Sequence, residues 1–189
     1  MTIDFENILN ASDDLIELVR NWRNNNNISQ YMYTNHYITK EEHYQWLEKL
    51  KTKTTAKAWI IRFNGNPIGL VSLSNIDFKK KTTEWGFYIA GESFRGKGIG
   101  SATLYKLMEY VFDTLHFHMI TTLVLENNSV AMKMYEKFGF KKDMKNVFQI
   151  ERNGKKIAVF TMWVSKDDWN HINRKFKNIY NITLGTLNG

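Results

Sequence analysis

The chain has 189 residues, 43% of them apolar, enough for one domain with a real core and too few for a second catalytic domain. It has no cysteine, which excludes disulfides, thiolate metal sites and a cysteine acyl-enzyme. Against 19 Asp and Glu stand 26 Lys and Arg, a net charge of +7 that suits nucleic acid, a polyphosphate substrate or a basic solvated surface, and no recognised nucleic-acid motif accompanies it.

Residues 3–9 alternate enough for a first strand. Ser12 with Asp13 and Asp14 offers an N-cap with acids in the first turn, and Leu15, Ile16, Val19 and Trp22 follow at helical spacing, so a helix runs to about Asn24. The polar run 24–27 ends it. Residues 30–36 are aromatic and irregular, after which Thr39 with Glu41 and Glu42 opens a second helix through Trp46, Leu47 and Leu50. Apolar runs at 58–63 and 68–73 flank Asn64-Gly65, a two-residue hairpin signal, with Pro67 at a strand edge. Lys79, Lys80 and Lys81 read as a solvated turn before the third strand of a meander.

Residues 85–89 form a short strand, followed by a loop, the turn Arg95-Gly96-Lys97-Gly98-Ile99-Gly100, and a helix with Leu104, Leu107, Met108 and Val111 on its apolar face. A strand at 121–125, a polar break at Glu126-Asn127-Asn128 and a helix ending before Gly139-Phe140 come next. Runs at 147–150 and 157–164 flank Asn153-Gly154, another hairpin. Ser165 and Asp168 fit a capping box for a last helix carrying Trp169, Ile172 and Phe176, and the tail from Asn181 is expected to fray. The order is β-α-α-β-β-β-α-β-α-β-β with an added C-terminal helix, read as one domain over residues 3–165 and a helix and tail over 166–189.

The glycine-rich turn carries the first chemical signal. Its three glycines let the backbone turn sharply and approach a ligand. The free N–H groups and positive dipole end of the following helix then favour an anion, best a pyrophosphate. Arg95 and Lys97 add positive charge. The alternative is a plain tight turn. The spacing is neither the Gly-x-Gly-x-x-Gly of a dinucleotide fold nor a P-loop.

Arg95-x-x-Gly98-x-Gly100 between strand and helix, together with Asn128, Ala131, Tyr135, Lys137, Gly139 and Phe140 in the next unit, resembles the GNAT acetyltransferases over roughly residues 5–164. The resemblance implies an α/β fold: a mixed, mostly antiparallel central sheet with helices on both faces and an extra C-terminal helix. Its fourth and fifth strands, at 85–89 and 121–125, would run parallel and splay apart to admit acetyl-CoA. It further implies that the edge of Phe87, Tyr88 and Ile89 pairs with the pantetheine, one backbone N–H polarising the thioester. Arg95, Gly96, Lys97, Gly98, Ile99 and Gly100 would hold the pyrophosphate, with Asn128 on the pantetheine arm and Lys137 also on the cofactor side. Tyr135 would be the general acid, since a tyrosine at pKa ~10 stays protonated at neutral pH; otherwise it is a core aromatic on a helix face. Glu126 is the candidate general base or amine binder, or else a helix-start carboxylate favoured by the dipole.

The series Arg23-Asn24, Met32-Tyr33 and His43-x-x-Trp46, with Ser72, is similar to the N-acetyltransferases of pseudaminic acid biosynthesis, which acetylate the 4-amino group of UDP-4-amino-4,6-dideoxy-N-acetyl-β-L-altrosamine. By that resemblance Arg23 serves the nucleotide diphosphate, Met32, Tyr33, His43 and Trp46 shape the nucleotide and sugar pocket, and Ser72 lies near the acceptor. Trp46 stands where a phenylalanine is expected, and the acid Glu84 near an expected aromatic. Aromatics can stack on base and sugar faces and an arginine can pair with a diphosphate, while Trp22 and Trp46 could equally be core. The expected reaction is direct transfer in a ternary complex. The other readings are an acetyltransferase of protein N-termini of the ribosomal-protein type, which needs an acidic peptide groove, and a CoA-binding module without turnover, against which Tyr135 argues.

No metal, nucleic-acid or membrane partner is expected. His116 and His118 have no third ligand nearby, no apolar run approaches the roughly 20 residues of a membrane span, and residues 1–4 lack the basic and apolar regions of a signal peptide. A cytoplasmic protein follows, with a homodimer through the late strands or last helix left open.

Overall fold

The computed structural model describes residues 2–176, 183–185 and 187. One sheet of eight strands, in the order β6-β7-β5-β4-β3-β2-β1-β8, divides the helices into two layers. The strands are β1 (Thr2–Asn7), β2 (Lys57–Phe63), β3 (Asn66–Asp77), β4 (Thr82–Ile89), β5 (Met119–Leu125), β6 (Lys141–Arg152), β7 (Lys155–Ser165) and β8 (Thr183–Leu184). The helices are α1 (Asp13–Asn24), the single turn α2 (Asn26–Ser29), α3 (Lys40–Thr52), α4 (Ile99–Glu109), α5 (Ser129–Lys137) and α6 (Lys166–Phe176). The β4–β5 and β1–β8 pairs are parallel and the others antiparallel.

Strand alternation assigns each face its core. On β2, Trp59, Ile61 and Phe63 join α4, α5 and α6, whereas Ala58 and Ile60 join α1, α2 and α3. The expected face of α4 is present: Leu104, Leu107, Met108 and Val111 are fully buried, Val111 in the π turn Tyr110–Thr114 that follows. Helix starts are set by side chains. Ser12 accepts from the Leu15 N–H, Thr39 and Glu42 form a capping box, and Ser165 and Asp168 exchange bonds at the start of α6. Trp169 and Phe176 of α6 are buried in the core over α4 and α5, Phe176 stacked on Phe138 at 4.6 Å.

Several elements differ from expectation. The polar run after Asn24 is itself a turn of helix, α2, because Asn25 caps it by accepting from the Asn27 N–H. Pro67 lies inside β3 rather than at its edge, beside the register shift between Ile61 and Arg62, where the ladder tolerates a missing N–H. β6 is much longer than the apolar run at 147–150, because an edge strand with mostly exposed side chains has no need of an apolar pattern. Of the tail from Asn181, residues 181–182, 186 and 188–189 lie outside the described residues, and 183–184 pair with β1.

Candidate active site

β4 and β5 pair over only three positions, Thr82↔Met119, Thr83↔Ile120 and Glu84↔Thr121, and then part. Beyond Glu84 the β5-facing edge of β4 has no strand partner among the described residues. The Trp85 carbonyl faces that gap, because it accepts from the Thr122 hydroxyl at 3.0 Å. Backbone groups alternate sides along a strand, so those of Phe87 and Ile89 face the gap as well, while Gly86 and Tyr88 face β3 opposite Ser72 and Leu70. Two residues of the expected triplet therefore turn their backbone to the gap. Tyr88 turns its side chain to α1, donating to the Val19 carbonyl at 3.3 Å, and burial raises its pKa.

The glycine turn leads from the end of β4 into α4. Gly96 and Gly98 have φ of 75° and 77°, a region that costs other residues about 1–2 kcal/mol, and a Cβ on either would meet nothing within 4 Å. The first α-helical bond runs from the Ala102 N–H to the Gly98 carbonyl at 2.9 Å, so the amides of Ile99, Gly100 and Ser101 remain free as the first-turn donors. Gly100 seats the helix on Phe87, whose ring carbons would lie 3.2 Å and 3.3 Å from any Cβ there. Arg95 and Lys97 are exposed, Arg95 in a loose 3.8 Å pair with Glu92. Open space, free amides and two cations fit a polyphosphate.

Tyr135 lies at the splay on the α4–α5 face. It is 5% exposed, packed edge-on to Trp85 at 5.5 Å, and its hydroxyl meets that of Thr122. Burial pushes its pKa up to about 12. Thr122 thus links the general-acid candidate to the strand that borders the gap, and the sequence reading did not single it out. The indole N–H of Trp85 is also buried here without a partner among the described residues. Asn128 caps α5, accepting from the Ala131 N–H at 3.2 Å. Lys137 is exposed and lies over the Phe176 ring at 5.3 Å, on the side of α6.

Glu126 is exposed, and its Oε1 accepts from the Ala158 N–H at 2.9 Å, tying the end of β5 to β7. A second carboxylate stands at the splay. Glu84 is half-buried, burial raises its pKa, and Asn75 Nδ2 donates to it at 3.5 Å. By strand alternation Glu84 and Gly86 share the α1–α3 face with Ser74 and Ser72, their direct partners on β3. Gly86 leaves a hollow between them: a Cβ there would meet only Ser72 Oγ, at 3.9 Å. Glu84 stands near the position where an aromatic is expected, and the signal that could have found it is an acid at the head of the apolar run of β4.

On the same face, Arg23 of α1 holds the loop after α2, donating to the Thr34 carbonyl and hydroxyl. Burial lowers its pKa, the nearby Arg152 lowers it further, and its Nη1 is buried without a partner among the described residues. Met32 is half-buried, and Tyr33 is 50% exposed with its ring edge-on to Phe148 at 5.8 Å. His43 is placed inside the α1–α3 contact, bonded to the Ile16 carbonyl, its Nε2 without a partner and its pKa lowered by burial. Trp46 lies 5.3 Å from it, half-buried against the same core. Among the described residues no three His, Asp or Glu side chains gather as a metal site, and no helix is long and apolar enough to cross a membrane.

Residues 8–141 match the Acetyltransferase (GNAT) domain family. The chain is 30% identical over 138 residues to "Acetyltransferase PseH" of Campylobacter jejuni, covering 73% of this chain and 84% of that one. The fold superposes on spermidine N-acetyltransferase from Vibrio cholerae, solved with CoA and spermine, at a TM-score of 0.80 and 22% identity, covering 89% and 98% of the two chains. It also superposes on Campylobacter jejuni PseH in complex with acetyl coenzyme A, at a TM-score of 0.64 and 22% identity, covering 86% and 98%. With a splayed β4–β5 pair, a glycine-rich turn into α4 and this family match over most of its length, the chain belongs to the GNAT acetyltransferases.

Proposed function

We propose that this acetyltransferase moves an acetyl group from acetyl-CoA to the 4-amino group of a UDP-linked amino sugar, UDP-4-amino-4,6-dideoxy-N-acetyl-β-L-altrosamine. The observation that carries the acceptor class is the pair Arg23 and Arg152. Both guanidinium groups meet the loop after α2, and among the described residues neither forms an ion pair with a carboxylate. Such a pair attracts a diphosphate and repels a polyamine, so it favours a nucleotide sugar over spermidine despite the structural likeness to the Vibrio cholerae enzyme. Tyr33 and Phe148 offer aromatic surface for a base or sugar beside it.

Acetyl-CoA supplies an acyl group activated as a thioester. The amides of the turn at 96–101 hold its pyrophosphate, and the backbone of Phe87 and Ile89 receives its extended arm. One of those N–H groups faces the carbonyl oxygen where negative charge develops. On the α1–α3 face Glu84 takes the proton of the attacking amine, and Ser72 orients it. Glu84 is the better base than Glu126 because it is half-buried with a raised pKa, whereas the Glu126 carboxylate is exposed and occupied by Ala158. On the opposite face Tyr135 donates a hydrogen bond to the departing sulfur. At about 12 its hydroxyl is a weaker acid than an ordinary thiol near ~8.5, so full proton release is uphill and the hydrogen bond is the larger part of its role.

Inhibition by UDP, a fragment of the proposed acceptor, tests the acceptor class. UDP should compete with the acceptor and not with acetyl-CoA, and Arg23→Ala should weaken that inhibition by roughly tenfold or more. Absence of UDP inhibition at millimolar concentration would reject a nucleotide-sugar acceptor.

A further inference from the structure

Residues 30–39 contain no regular helix or strand, and their shape is set by side chains from elsewhere. At the far end, Asn24 of α1 both donates to the Ile38 carbonyl at 2.9 Å and accepts from the Ile38 N–H at 2.8 Å, and Arg20 adds a bond to the same carbonyl at 3.1 Å. In the middle, Arg23 holds Thr34. These three ties come from α1, the helix that leads into the loop, and would move with it.

The near end is held from a different part of the fold. Arg152, the last residue of β6 before the Asn153-Gly154 turn, donates from Nη1 to the Gln30 carbonyl at 2.8 Å. From Nη2 it donates to the Tyr33 carbonyl at 2.9 Å and to the Met32 carbonyl. Arg152 and Gln30 are 122 positions apart in the chain. One guanidinium thus meets three backbone carbonyls within four residues, a use of its planar fork that an ammonium cannot reproduce. Phe148, four residues earlier on β6, meets Tyr33 edge-on. Both contacts fix the loop against the β6–β7 hairpin.

We propose that Arg152 is a positioning residue for the acceptor: it locks residues 30–34 against the hairpin and so sets the geometry in which Met32, Tyr33 and Arg23 meet the acceptor. This rests on the reading that the loop forms the acceptor side of the cleft. The lock itself exists in the chain alone, and that separates the two claims experimentally.

The test uses Arg152→Ala and Arg152→Lys in the full chain. Without any substrate, backbone hydrogen exchange over 30–36 should speed up by at least about tenfold in both variants, while the amides of α4 exchange as in the wild type. With substrates, KM for the acceptor should rise by about tenfold or more, with KM for acetyl-CoA unchanged. Millimolar guanidinium ion should recover part of that loss in Arg152→Ala and none in Arg152→Lys. Unchanged exchange at 30–36 would overturn the proposal whatever the acceptor turns out to be. So would a lysine variant indistinguishable from wild type, because charge alone would then suffice. A parallel rise in both KM values with a lower Tm would reduce Arg152 to general support of the fold. Should the wild type fail to acetylate the amino sugar, the function reading falls and the exchange experiment still decides the lock.

Discussion

The Thr122 hydroxyl donates to the Trp85 carbonyl at 3.0 Å one residue beyond the last β4–β5 pair, closing the ladder with a side chain where the two backbones part. Thr122 is 2% exposed, so the contact is shielded from bulk solvent. The same hydroxyl meets Tyr135, so this threonine connects the edge of the gap to the buried tyrosine on α5.

Thr122→Val should therefore leave a buried carbonyl unpaired, at a cost of about 1–3 kcal/mol. For a chain of this size that lowers Tm by roughly 2–12 °C, whereas Thr122→Ser should stay close to wild type. Thermal unfolding of the three proteins checks this, and a valine variant as stable as the serine variant would count against the contact.

Tyr135→Phe removes the hydroxyl and keeps the ring packed against Trp85 and Phe140. We expect kcat to fall by roughly 10²–10³-fold with KM for acetyl-CoA nearly unchanged. Because burial holds the hydroxyl at about 12, wild-type kcat should show no alkaline limb from Tyr135 below about pH 11. Full activity in Tyr135→Phe at saturating acetyl-CoA would remove its assigned role.

Glu84 must be ionised to accept a proton, and burial raises its pKa above the ordinary 4.5. As pH falls through that raised value, kcat/KM should fall with it. Glu84→Gln should abolish the limb together with most of the activity. An acid limb that disappears in Glu126→Gln and persists in Glu84→Gln would transfer the role to Glu126.

His43 carries a sign that stability measurements can read. Burial lowers its folded pKa below the ordinary 6.5, so the unfolded chain binds its proton more tightly than the folded one. The contribution is complete above about pH 6.5 and is lost as pH falls towards the lowered folded value. Relative to wild type, His43→Gln should lose less Tm between pH 7 and pH 5. Parallel Tm profiles would show that burial leaves the His43 pKa at its unfolded value.

Gly98 combines a φ of 77° with open space where a side chain would go. Gly98→Ala should cost about 1–2 kcal/mol of stability through the backbone and raise KM for acetyl-CoA without changing KM for the acceptor. An effect confined to the acceptor would contradict a pyrophosphate at this turn.

The glycine turn, the face of α4 and the caps of α1, α3 and α6 were legible because each depends on residues within about one helical turn of one another. The place of Tyr135 on α5 was legible for the same reason, as part of a local motif. Thr122, Glu84 and Arg152 were not. Thr122 matters through a carbonyl 37 positions away and Arg152 through a loop about 120 positions away, and no periodicity records such contacts. Glu84 gains its raised pKa from burial, which depends on neighbours brought by β3. Glu126 and Lys137 also make contacts that no local motif records, Glu126 with the Ala158 N–H of β7 and Lys137 over the Phe176 ring of α6. β6 escaped notice over most of its length because an exposed edge strand carries no apolar alternation.

The most direct measurement is acetyl transfer to a panel of amines, with the product mass recorded: UDP-4-amino-4,6-dideoxy-N-acetyl-β-L-altrosamine, an epimeric UDP-4-amino sugar, spermidine and N-terminal peptides. The account predicts a gain of one acetyl group on a UDP-amino sugar, best on the altrosamine compound, and little on spermidine, which the two arginines at the loop after α2 repel. Efficient acetylation of spermidine or peptides with none of either sugar nucleotide would contradict it, leaving the fold and the acetyl-CoA cleft in place and removing the acceptor assigned here.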